Sequence, residues 1–102
     1  MITSEYDKYV DDSVFHPPID RNYTAIALAG EIGEVCNEIK KEIRNKENRG
    51  DKVLLELGDS LHYLTALAHS YGFTLRDVMS ANIVKLENRK EEKRRLVNAR
   101  YK

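Results

Sequence analysis

The chain has 102 residues, with 17 basic and 17 acidic side chains that cancel to a net charge of zero. That length suits one compact domain and not two. The zero balance excludes a global pull toward nucleic acid or anionic membranes, so any electrostatic specificity has to be local. The single cysteine, Cys36, excludes an internal disulfide and, inside helix-like sequence, reads as a buried thiol rather than a nucleophile. No apolar run approaches the ~20 residues of a membrane span, and the opening MITSEYDKYVDD lacks the basic and apolar regions of a signal peptide. A soluble cytoplasmic protein is the expectation.

Residues 1–19 read as an N-terminal segment with one short helix, set off by the adjacent Pro17 and Pro18. Asp20 or Asn22 can cap a second helix, which runs to about Lys46 before the polar turn NKENRGD. Asp51 is a natural N-cap for a third helix, reaching Tyr71 with Gly72 as the residue beyond its end. Thr74 and Asp77 have capping-box spacing and open a fourth helix, whose end, residues 90–102, is a dense and mainly basic tail. No alternating β pattern of useful length occurs. The prediction is an all-α domain over residues 1–102, with one short and three long helices.

At about 100° per residue, the second helix places Leu28, Ile32, Val35, Ile39 and Ile43 on one stripe, with Glu31, Glu34 and Glu38 on its flank. The third helix repeats the arrangement: Val53, Leu57, Leu61, Leu64 and Ala68 form the stripe, and Glu56 and Asp59 lie beside it. Packed antiparallel, the two helices can bring their acidic flanks together at the rim of the core. Glu38 has Lys41 at i+3 and Glu56 has Lys52 at i−4, but Glu31, Glu34 and Asp59 have no Lys or Arg at three or four positions either way. Two readings fit. One is a solvated charged face. The other is a site for a hard divalent cation, since Mg²⁺ takes carboxylate and water oxygens and relieves the repulsion between them.

The sequence EIGE at 31–34, then 21 intervening residues, then ELGD at 56–59 resembles the E-x-x-E…E-x-x-D signature of the MazG-like family of all-α nucleoside triphosphate pyrophosphohydrolases. The likeness extends from about Tyr23 to Arg89, through LAGEIGEV, LLELGDSLHYL and the stretch NIVKLENR at 82–89. It implies a helical bundle completed by association into a dimer or tetramer, and hydrolysis of a (deoxy)nucleoside triphosphate between its α and β phosphates. By matching position, Glu31, Glu34, Glu56 and Asp59 would be ligands of Mg²⁺, with Mn²⁺ as a substitute. Water would attack the α-phosphorus and one carboxylate would take its proton. Glu38 is a candidate for that base, and a spectator glutamate paired with Lys41 is the alternative.

On the fourth helix Asn82, Lys85 and Arg89 share a face, at i, i+3 and i+7. That polar and basic set suits the phosphates of a nucleotide, Lys as a point charge and Arg as a fork; the bland alternative is basic residues snorkelling from a packed face. Tyr63, one turn after Asp59, could donate its hydroxyl to a phosphate or serve packing. For the base and sugar, Phe15, His16 and Tyr23 are the candidates, while Tyr6 and Tyr9 could be packing residues of the first helix. His62 and His69 lie two turns apart, ~10 Å, too far to share a metal, so solvent exposure or a subunit contact is expected of both. The rival functional reading is a non-catalytic metal- or nucleotide-binding module on the same scaffold. Neither a histidine-aspartate dipeptide nor a glycine-rich phosphate loop is present.

Overall fold

The computed structural model describes residues 1–13 and 20–100, and among these no strand occurs. Four helices follow in order: α1 (Thr3–Asp12), α2 (Arg21–Asn45), α3 (Gly50–Ser70) and α4 (Leu75–Arg100). One short and three long helices is the arrangement expected. None is long and apolar enough to cross a membrane.

The helix ends are set by local chemistry. Asp20 caps α2, its carboxylate accepting the Tyr23 N–H at 2.7 Å. Lys46 closes that helix in the left-handed region, at φ 52°. Helix α3 starts at Gly50, one residue before the predicted cap Asp51. The reason is Asn48, whose side-chain oxygen accepts the Gly50 N–H at 2.7 Å and turns the chain earlier. At the far end Gly72 takes φ 83°, a conformation that suits a residue with no Cβ. The Gly72 and Phe73 N–H groups then reach back to the carbonyls of His69 and Ala68, satisfying the last turn of α3. Thr74 and Asp77 exchange side-chain-to-backbone hydrogen bonds at 2.9 and 3.1 Å, forming the capping box that opens α4.

Helices α2 and α3 form an antiparallel hairpin fastened at both ends. At the open end the Arg21 guanidinium donates to the Ser70 carbonyl and hydroxyl and lies 3.7 Å from the centre of the Tyr71 ring. Near the turn, Arg49 pairs with Glu38 at 2.7 Å and Glu47 at 2.8 Å, and its backbone N–H donates to Glu42.

The seam between these helices is more polar than the helical wheel suggests. Thr24 and Glu38 on α2, and Ser60 and Thr65 on α3, are buried. The predicted apolar stripes are largely open instead: Ile43 is 75% exposed and Leu57 is 50% exposed. Cys36, expected to be buried, is exposed as well. The wheel orders residues around one helix but does not say which sector meets the neighbour. Among the described residues the buried apolar side chains are Val10, Ala68 and Leu75, where α1, α3 and the start of α4 meet.

Beyond Leu75, every α4 side chain is exposed except the half-buried Val78. Helix α4 packs on α1 and α3 through its beginning and makes no packing contact with α2. The result is an open molecule. Its radius of gyration is 18.2 Å, against about 13 Å for a compact chain of this length. Its accessible surface is 8300 Å², against about 5,900 Å² for a folded monomer of this mass.

Candidate functional site

Midway along the hairpin, Glu31 of α2 meets Glu56 and Asp59 of α3. One carboxylate oxygen from each lies within 4.8 Å of the others. Glu31 and Glu56 are half-buried and Asp59 is exposed. Glu34, one turn on from Glu31, is exposed and stands outside this group of three, yet its charge is felt at Glu56. Burial, then the charges of Asp59, Glu31 and Glu34, push the Glu56 carboxyl above its ordinary range. The charges acting on Glu56 are all negative. Among the described residues none of the four acids makes an ion pair with this chain's own lysines or arginines, including Lys52, the partner available to Glu56 by spacing. Two fastened helix ends thus hold like charges together.

Glu38 lies elsewhere. Its oxygens are taken by Arg49 at 2.7 Å and Lys41 at 3.5 Å. The hydrogen bond from Arg49 overcomes burial, and with the two basic charges holds this carboxyl below its ordinary range. Tyr63 is half-buried, one turn from Asp59, and meets the His62 ring edge-to-face at 5.3 Å between ring centres. Asn82, Lys85 and Arg89 are exposed on α4, and neither basic residue makes an ion pair among the described residues. Neither is among the charges acting on Glu56. Phe15 and His16 lie outside the described residues.

Two features escaped the sequence reading. Tyr6 of α1 is half-buried, and burial, Tyr9 and the charge of Asp59 raise its hydroxyl above the ordinary value, so α1 approaches the acidic group. Nothing in the sequence links Tyr6 to Asp59, because the approach depends on how α1 docks. His69, expected in solvent or at a subunit contact, is instead packed against Asp7. The only signal was the pair of acids Asp7 and Asp11, one turn apart on a short helix.

Comparison with known proteins agrees with this architecture. Residues 21–93 match the sequence model of the MazG nucleotide pyrophosphohydrolase domain, from the first residue of α2 far into α4. The Gene 37 protein of Mycobacterium phage L5 is 38% identical over 76 residues, covering 69% of this chain and 66% of the phage protein. No solved structure was found to match. The matched segment contains all four acids and the Asn82, Lys85 and Arg89 face. The chain belongs to the MazG nucleotide pyrophosphohydrolase family.

Proposed function

We propose that this chain is a Mg²⁺-dependent pyrophosphohydrolase of a (deoxy)nucleoside triphosphate, releasing the monophosphate and pyrophosphate in the cytoplasm for nucleotide pool sanitation or adjustment. The observation that carries the reading is the convergence of Glu31, Glu56 and Asp59 within 4.8 Å, with no ion pair to a lysine or arginine among the described residues. A divalent ion fits that donor set. All the available atoms are hard carboxylate oxygens, of the kind Mg²⁺ and Mn²⁺ take. The upward push on Glu56 is the electrostatic deficit that a bound cation removes. Glu31, Glu56 and Asp59 would hold it, with Glu34 as a fourth ligand. When bound, such an ion shields the triphosphate and polarises its phosphoryl oxygens.

The chain's own groups do the rest. Water attacks the α-phosphorus, the bond from that phosphorus to the bridging oxygen breaks, and its electron pair leaves with pyrophosphate. A carboxylate of the acidic group accepts the water's proton. Glu38 is a poor base by comparison, because Arg49 and Lys41 already occupy its oxygens and make it a weaker acceptor. Lys85, Arg89 and Asn82 bind phosphate oxygens, and Tyr63 adds a donor from the metal side.

A second copy of the chain completes the site. The accessible surface exceeds that of a compact monomer by about 2,400 Å², an excess on the scale of obligate homodimer interfaces. The uncovered side chains include Ile32, Ile39 and Ile43 on α2, and Met79, Ile83 and Leu86 on α4. The last three border Lys85 and Arg89, so covering them carries the basic face toward a partner's acids.

Pyrophosphate release from a panel of ribo- and deoxynucleoside triphosphates, with Mg²⁺ and with chelator, tests the reading. Release that needs the cation supports it, and the preferred nucleotide names the pocket. Silence across the panel with cation binding intact would replace the enzyme by a binding module.

A further inference from the structure

Helix α2 packs on α3 and makes no packing contact with α1 or α4, so among the described residues only one of its sides is covered. The covered side runs through Thr24, Leu28, Glu31, Val35, Glu38 and Glu42, all buried or half-buried. A second lane, with the same alternation of four and three steps, runs through Ala25, Ala29, Ile32, Cys36, Ile39 and Ile43. Every one of these six is exposed. Steps that average 3.5 residues keep side chains on one seam of a helix, the pattern by which two helices pack along their length. The covered lane carries three carboxylates and the open lane carries no charge. Burial favours apolar surface over charge, yet the chain covers its charged lane and leaves the apolar one in water. Over about 27 Å of helix, the open lane is a seam without its partner.

The order of residues in the lane says which partner fits. Ala25, Ala29 and Cys36 are small; Ile32, Ile39 and Ile43 are large. Set two copies of α2 antiparallel about a two-fold axis between Ile32 and Cys36. Ala25 then meets the partner's Ile43, Ala29 meets the partner's Ile39, and Cys36 meets the partner's Ile32. Each meeting joins one small and one large side chain, and the axis repeats it reciprocally, as contact between identical surfaces requires. Parallel copies would set isoleucine on isoleucine and alanine on alanine, crowding one end and leaving gaps at the other. They would also bring Lys40 and Arg44 of both copies together, a repulsion that the antiparallel pair avoids.

Gly33 borders the lane beside the axis. A Cβ added there meets nothing within 4 Å, although glycine in mid-helix is less favourable than alanine. Its own chain gives no reason for the missing side chain; close approach of a second backbone does. Beside it, Cys36, Ile39, Lys40, Ile43 and Arg44 line a shallow apolar groove, where the partner's alanines and Ile32 arrive. The accessible surface in excess of a compact monomer, about 2,400 Å², is on the scale that a stable dimer covers.

We propose that a second copy of the chain docks along this lane, α2 against α2, antiparallel about a two-fold axis between Ile32 and Cys36. The docking rests on the second copy invoked for the site and specifies where it sits; it does not depend on the chemistry of the acids. The centre of the lane is turned by about 120° around α2 from Glu31. Pairing along it therefore leaves the acidic group open.

Disulfide mapping tests the register, on the full chain and without nucleotide. Chains carrying Ile32→Cys and Cys36→Ala are co-expressed with native chains under a different tag, and the mixed species is purified and mildly oxidised. A disulfide needs Cα atoms within about 7 Å, and in this register position 32 of one chain meets Cys36 of the other. The expected result is a covalent mixed dimer whose link maps to positions 32 and 36. Chains carrying Ile39→Cys and Cys36→Ala should stay unlinked, because position 39 meets Ala29, about 10 Å along the helix from Cys36. Gly33→Leu should weaken self-association by at least about tenfold in sedimentation velocity, through overpacking, while circular dichroism keeps the native helix content. No link from position 32, a link from position 39, or native self-association of Gly33→Leu would each overturn the docking. If the Ile32→Cys chain does not fold, Gly33→Leu decides the matter. Monomers at every concentration would overturn the docking together with the second copy. A linked dimer silent toward every nucleoside triphosphate would remove the proposed activity and leave the docking standing.

Discussion

The α2–α3 hairpin is fastened at both ends, by Arg21 on Ser70 and Tyr71 and by Arg49 on Glu38. Between the fastenings it holds three carboxylates that repel one another. Helix α4 is tied down at its first turn, by its capping box and by Asp7, and its remaining length lies in solvent. One region keeps together charges that would otherwise separate; the other carries Lys85 and Arg89, which make no ion pair among the described residues. Like charges can be kept close only by a frame whose other contacts outweigh the repulsion. In the arm Ile83, Leu86, Lys85 and Arg89 are exposed, and the proposed function has a second copy cover them. The contrast describes a molecule whose acidic and basic halves are complementary yet apart within one copy.

The sharpest way to break that contrast is Glu56→Gln. Pyrophosphate release should fall by more than about 100-fold, the loss of a ligand being costlier than that of its supporting partners. The melting temperature without added cation should rise. The sign follows from the raised pKa of Glu56: the native state binds a proton more readily than the unfolded chain, so ionising this group opposes folding. For the same reason the native chain without cation should gain stability as pH falls from neutral through that raised value. A Glu56→Gln protein that melted lower than native would mark the residue as a structural partner instead.

Next in size is the arm. The pair Ile83→Glu and Leu86→Glu should shift the protein to monomers in sedimentation velocity and cost at least about tenfold in pyrophosphate release, since an interface core does not accept buried charge. Glu38→Gln should act the other way round, on stability and not on turnover, with activity within about threefold of native. Its carboxyl is held below the ordinary 4.5 by Arg49 and Lys41. Its contribution is therefore present above that value and lost as pH falls through the lowered one. Thermal melts should show the variant weaker than native at neutral pH, with the gap closing on acidification. The smallest effect is Thr74→Ala, which removes one side of the α4 capping box. It should cost about 1 kcal/mol in denaturant unfolding with turnover unchanged.

Local chemistry was legible in the sequence wherever a residue acts on its neighbours. Asp20 as a cap, Gly72 at positive φ and the Thr74 and Asp77 box all stand as their spacing indicates. The acids could be assigned to two helices for the same reason, because i, i+3 spacing fixes a shared face. What stayed hidden depends on how helices are turned toward one another. The side chains of Thr24 and Glu38 are buried while Ile43 faces out, the reverse of what hydropathy alone suggests. Hydropathy orders residues by their taste for burial and does not say which sector of a helix meets its neighbour. Asn48 moved a helix start by competing with Asp51. His69 found Asp7 across 62 positions of sequence, a distance over which no periodicity speaks.

The division of labour between hairpin and arm is tested most directly by mixing two damaged chains. Glu56→Gln lacks an acid, and the double variant Lys85→Ala, Arg89→Ala lacks the basic face. Each alone should be nearly silent in pyrophosphate release. Co-expressed under different tags and purified as the mixed species, they should recover about half of native activity if the protein is a dimer. Each mixed dimer then holds one site built from an intact hairpin and an intact arm. Recovery no greater than the sum of the two parents would contradict the account, and would mean that each α4 serves the acids of its own chain.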